Sequence, residues 1–111
     1  MRRLLRAAIR GATVTRGDAL TLRVDPILLR AANILPLEEV EIVNHASGGR
    51  VTTFAEEGEE GSGVVEAPRM REGDVVSVLS WGLLHDGQTL NHQAIIVTVE
   101  GNRVMARTVL P

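Results

Sequence analysis

GDALTLRVDP, residues 17 to 26, joins a strand signal directly to a helix start. Leu20, Leu22 and Val24 alternate with Thr21 and Arg23, which is the period of a half-buried strand. Asp25 is then a natural N-cap and Pro26 fits the first helical position. ILLRAA carries a short helix, and Asn33 can take the left-handed conformation that ends it.

The rest of the chain is strands separated by turn signals. VEIVN (40 to 44) and RVTTFAE (50 to 56) flank HASGG, whose Gly48-Gly49 suits a hairpin turn, so these two segments are expected to pair antiparallel. GDVVSVLSW (73 to 81), QAIIVTVE (93 to 100) and NRVMA (102 to 106) supply three more strands, the last two joined at Glu100-Gly101-Asn102. EEGEEGSG (56 to 63) is too acidic and too rich in glycine for regular structure and reads as a loop. MRRLLRAAIRG opens with basic residues, but Arg6 and Arg10 interrupt what would have to be a continuous apolar signal segment, so it reads as the first strand of a cytoplasmic protein. Many short strands with one or two short helices predict a mainly β fold, a small closed barrel forming one domain over residues 1–111.

The composition narrows the chemistry. With 44% hydrophobic residues but only Phe54 and Trp81 as aromatics, the core must be built from Val, Leu, Ile and Ala. The net charge of -2 gives no field of one sign, so no nucleic-acid footprint is expected, and the short, Arg-broken apolar runs give no membrane segment. There is no Cys, which removes disulfides, thiolate nucleophiles and Cys-based zinc sites; there is no Tyr to serve as a phenolic proton donor. All 12 basic residues are Arg. Without Lys, the chain can form no side-chain Schiff base with pyridoxal phosphate or with a carbonyl substrate.

AIRGATVT followed by Asp18, then VDPILLRAANI, VEIVN, SGGRVTTF, EEGSGVV, GDVVSVLSW and IIVTVEGNRV resemble, in order and spacing, the pyruvoyl-dependent aspartate 1-decarboxylases. The likeness runs through nearly the whole chain and implies a double-psi β-barrel that assembles as a homotetramer with pockets between subunits. In that family a proenzyme cuts itself at a Gly-Ser bond and converts the Ser into a pyruvoyl group, the electron sink for decarboxylation. The resemblance would put that bond between Asp18 and Val24-Asp25. Here ALTLR runs straight across, a few residues shorter than the family pattern and without Gly or Ser. Gly61-Ser62 is the one Gly-Ser pair in the chain, and it matches a structural GSG turn that the family carries as well. No pyruvoyl cofactor, no self-processing and no metal are therefore expected.

Other family positions have changed too. The basic KIHR segment here reads Ala8, Ile9, Arg10, Gly11, and the proton-donating Tyr is Phe54. An Asn-Gly-Ala-Ala loop is replaced by the shorter EAPRMREG, residues 66 to 73. Arg50, to which the resemblance assigns the substrate carboxylate, and Thr53 do match, and a guanidinium fork suits a carboxylate. The candidate substrate-binding residues are thus Arg50, Arg10, Phe54 and Trp81, and the candidate catalytic residues are His45, Thr53 and Asp18. His45, His85 and His92 show no metal-ligand spacing. The acidic run at Glu56, Glu57, Glu59 and Glu60 lacks the alternating ligands of a calcium loop.

Three functions are compatible with this reading. The first is a repurposed enzyme that acts on a carboxylated or polar small molecule by non-covalent acid-base or positional catalysis, such as cyclisation, isomerisation or elimination. The second is a non-catalytic homologue that binds a metabolite or a partner subunit. The third is an aspartate 1-decarboxylase that matures unconventionally.

Overall fold

Period-two alternation of Val, Ile, Leu and Ala builds the architecture. The computed structural model describes residues 1 to 111 and places these side chains on the inner face of one curled, eight-stranded sheet. The strands are β1 (Arg2–Thr13), β2 (Leu22–Val24), β3 (Glu39–Asn44), β4 (Arg50–Glu57), β5 (Val65–Glu66), β6 (Val75–Leu84), β7 (Ala94–Glu100) and β8 (Arg103–Leu110). They are ordered β5-β2-β4-β3-β6-β1-β7-β8. β1 runs parallel to β7 and β2 parallel to β4, and the remaining neighbours are antiparallel.

The sheet closes where the chain leaves β1. The Thr15 N–H donates to the Val65 carbonyl at 2.7 Å and the Ala67 N–H to the Arg16 carbonyl at 3.1 Å, so residues 15 and 16, leaving the sixth strand of the order, grip β5, the first. Asn102, buried in the β7–β8 turn, locks the same seam. Its amide accepts from the Thr13 N–H at 2.8 Å and donates to the carbonyls of Thr13 at 2.8 Å and Gly63 at 2.9 Å. β1 follows this curvature through bulges at Arg6 and Gly11. Gly11 has φ 86°, and a Cβ there would stand 3.0 Å from the Val99 carbonyl oxygen, so the bulge and the close strand approach both need glycine. The result is the mainly β, double-psi-type barrel expected of the chain.

The core is aliphatic. Ile9, Leu22, Leu28, Leu29, Ile42 and Val78 are among its fully buried members, Met70 joins them, and neither aromatic residue does. The helix α1 (Pro26–Ala31) forms as its cap signals predict, with Asp25 Oδ1 accepting from the Ile27 N–H at 3.0 Å and Asn33 at φ 55° after its end. Leu28 and Leu29 turn into the core.

The structure departs from the sequence reading in a few places. Leu20 is not in a strand and is 96% exposed, because the chain joins the sheet only at Leu22, opposite Ala55. β5 is too short to carry a periodic signal and exists through its pairing with β2. Residues Asp86–Asn91, between two segments read as strands, form a 3-10 turn. β8 continues past residue 106 to Leu110. No helix is long and apolar enough to cross a membrane.

Candidate functional site

Alternation also decides which polar residues meet. On β4, Arg50, Thr52 and Phe54 face outward, and Val51, Thr53 and Ala55 face the barrel interior. Arg50 lies opposite Val43, Thr52 opposite Glu41 and Phe54 opposite Glu39 on β3. The register continues through Ser77 of β6, opposite Val43, to Arg10 of β1, opposite Ser77. One outer row across four strands therefore reads Arg50, Val43, Ser77, Arg10.

Two features stand on this face. The first is a cleft of about 390 Å³ lined by Arg3, Glu38, Glu39, Glu41, Thr52 and Trp81, with Val40 and Leu83. The Arg3 guanidinium lies 4.2 Å from the centre of the Trp81 ring, a cation–π contact. The indole Nε1–H is buried without an acceptor. Arg50 donates through Nη1 to Glu41 Oε1 at 2.8 Å, which brings the guanidinium to the cleft edge with its remaining N–H groups uncommitted. Glu38 forms the inner wall. Its Oε2 accepts from Arg6 Nη2 at 2.5 Å and from the buried Ser80 hydroxyl.

The second feature is a hydroxyl–imidazole pair. His45 follows the end of β3, and its N–H donates to the Val75 carbonyl at 2.9 Å. This fixes the residue against β6, where His45 Nε2 lies 2.7 Å from Ser77 Oγ. Arg10, exposed and unpaired, stands across the ladder from Ser77.

The sequence-predicted residues are therefore divided. Arg50, Arg10, Phe54, Trp81 and His45 share the outer face. Thr53 faces the other way, opposite Val40 and half-buried. Asp18, at φ 54°, lines a separate shallow cleft with Arg16, Arg23, Glu56 and Glu66. Glu41 and Ser77 escaped the sequence reading. Glu41 was visible only as the charged position within VEIVN, and Ser77 as one polar residue inside a strand; their partners are fixed by cross-strand register.

Asp25 is the most strongly held ionisable group. It is 1% exposed and accepts backbone hydrogen bonds from Ile27, Gly61 and Gly63. Burial pushes its carboxyl up, but those N–H groups, with Arg103 4.0 Å away, more than offset this and hold it below its ordinary value of 3.8. Asp25 thus ties the helix N-terminus to the GSG turn and has a structural task.

The model of the family described as aspartate decarboxylase matches residues 1–105. The chain belongs to the aspartate decarboxylase family. It is 38% identical over 109 residues to an aspartate 1-decarboxylase of Neisseria meningitidis, covering 91% of this chain and 86% of that one. Against the aspartate 1-decarboxylases of Syntrophomonas wolfei and Listeria monocytogenes the identities are 36% and 34%, covering 92% and 89% of this chain and 93% and 84% of theirs.

The residues present do not fit this family's pyruvoyl group. That group is made from a Ser of the chain itself, and Asp18 to Val24 reads DALTLRV. At the one Gly-Ser pair, the Ser62 hydroxyl would have to attack the Gly61 carbonyl carbon. Instead it donates to the Glu59 carbonyl at 2.6 Å and accepts from the Val64 N–H at 3.2 Å, while Asp25 clamps the N–H groups on either side. Ser62 is built into a turn. No group of three His, Asp or Glu is placed to hold a metal ion.

Proposed function

We propose that this aspartate decarboxylase family member works without a pyruvoyl group and uses the outer face of β4, β3, β6 and β1 to act on a small carboxylated molecule. The observation that carries this reading is a pairing. The serine-free run from Asp18 to Val24 leaves no precursor for the cofactor, yet the carboxylate-matching Arg50 persists at the edge of a cleft. Arg50 anchors the substrate carboxylate through its free N–H groups, and Trp81 and Phe54 offer apolar surface. The acids of the cleft and His45 move protons, so the chemistry is cyclisation, isomerisation or elimination rather than imine formation. The chain assembles as a homotetramer in the cytoplasm, with this face turned toward a neighbouring subunit. The exposure of Phe54, Val75 and Leu83 on a monomer supports that assembly.

Thermal unfolding with a panel of small mono- and dicarboxylates tests the reading. A ligand at a hundred times its Kd stabilises by about 2.7 kcal/mol, roughly 12 °C for a chain of this length. The shift is expected in the wild type and absent in Arg50→Ala. If no carboxylate shifts either protein, the site reading fails. In that case the non-catalytic homologue gains, a reading favoured by Glu41, whose carboxylate already balances the Arg50 charge within the chain. An aspartate 1-decarboxylase with unconventional maturation is favoured by the names of its relatives and requires a cut chain.

A further inference from the structure

We infer that Ser77 and His45 form a nucleophile–base dyad, with Arg10 as its electrophilic partner, and that its substrates are small acyl esters bearing a carboxylate. This goes beyond the proposed function, whose proton transfers form no covalent adduct, and rests on it only for Arg50 as the carboxylate anchor. The geometry meets the requirements for an activated hydroxyl. Ser77 Oγ is 2.7 Å from His45 Nε2, within reach for direct proton transfer. Backbone pairing on both sides fixes the two residues: Ser77 sits in the ladders with Val43 and Arg10, and the His45 N–H is bonded to Val75. Arg10, directly opposite Ser77 and without a partner of its own, can reach a developing oxyanion. Arg50 lies two strands from Ser77, roughly 10 Å by strand spacing, which suits a short acyl chain with a carboxylate at its far end.

The step balances without any co-reactant but water. With the imidazole proton on Nδ1, Nε2 takes the Ser77 proton as Oγ bonds to the ester carbonyl carbon. The carbon–alkoxy bond then breaks, and His45 returns the proton to the leaving alcohol. Water, deprotonated by the same nitrogen, releases the acid and restores Ser77. Within the chain His45 Nδ1 has no carboxylate to orient it, and in serine proteases disabling that group costs about 10⁴ in kcat. Acylation with slow turnover is the expected behaviour, so the covalent adduct is the readout to follow.

The test is labelling of the full-length protein with an alkyl fluorophosphonate, read by intact mass and peptide mapping. One adduct on Ser77 is expected. It is absent in Ser77→Ala and forms about a hundredfold more slowly in His45→Gln, while Ser47→Ala in the same turn labels like wild type. Mono-p-nitrophenyl succinate should give a burst that p-nitrophenyl acetate gives more weakly, and Arg50→Ala should erase that preference. No adduct, an adduct on another serine, or unchanged labelling in a folded His45→Gln overturns the dyad. Labelling at Ser77 with no carboxylate preference in wild type leaves the dyad standing as a nucleophile and overturns the ester class together with Arg50 as anchor.

Discussion

Replacing Asp25 with Ala should be among the most damaging single changes in the chain, for reasons that can be counted. Asp25 accepts from Ile27 at 3.0 Å, Gly61 at 3.1 Å and Gly63 at 2.9 Å. Losing the N-cap bond to Ile27 costs about 1 kcal/mol. The Gly63 N–H lies inside the protein and would be left unsatisfied, at a further cost of about 2 kcal/mol, whereas water can reach Gly61. The expected loss is about 3 kcal/mol, which for this length lowers Tm by roughly 13 °C. Because the folded-state pKa of Asp25 is lowered, its contribution is complete above the unfolded value near 3.8 and is lost as pH falls through the folded one. Denaturant unfolding at fixed protein concentration, from pH 7 down to pH 3, should show the gap between wild type and Asp25→Ala constant at neutral pH and narrowing below about pH 4. A loss under 1 kcal/mol, or a gap that widens on acidification, would show that Asp25 does not hold this turn.

Other substitutions probe other parts of the fold. Asn102→Ala removes three hydrogen bonds at the barrel seam and should cost about 2 to 4 kcal/mol by equilibrium unfolding. Trp81→Phe deletes a buried N–H that has no acceptor, so stability should change by less than about 1 kcal/mol despite the smaller ring. Trp81 is the lone tryptophan and lines the cleft, so its fluorescence should respond to carboxylate binding in wild type and not in Arg50→Ala. In the absence of ligand, Arg50→Ala should cost less than about 1 kcal/mol, since its pair with Glu41 is largely exposed on the Arg side.

Much of this fold was legible because its signals are local. Asp25, Pro26 and Asn33 marked both ends of α1, and Gly48-Gly49 marked the β3–β4 hairpin. The scarcity of aromatics foretold an aliphatic core. Leu20 misled because alternation cannot say where a strand leaves its partner, and β5 was invisible because two residues have no period. The site was legible only in part. Period two should have separated Thr53 from Arg50, since residues three apart point to opposite faces of a strand. The Ser77–His45 contact spans 32 positions and depends on the registers of β3 and β6, for which neither residue carries a local signal.

The most direct measurement is the intact mass of the purified protein. One species at the full 12.0 kDa is expected, with Ser62 unmodified, because the chain lacks the serine from which a pyruvoyl group would arise. Two fragments, the second beginning with a pyruvoyl-blocked residue at position 62, would mean that Ser62 is a cofactor precursor and return the protein to the chemistry of its aspartate 1-decarboxylase relatives.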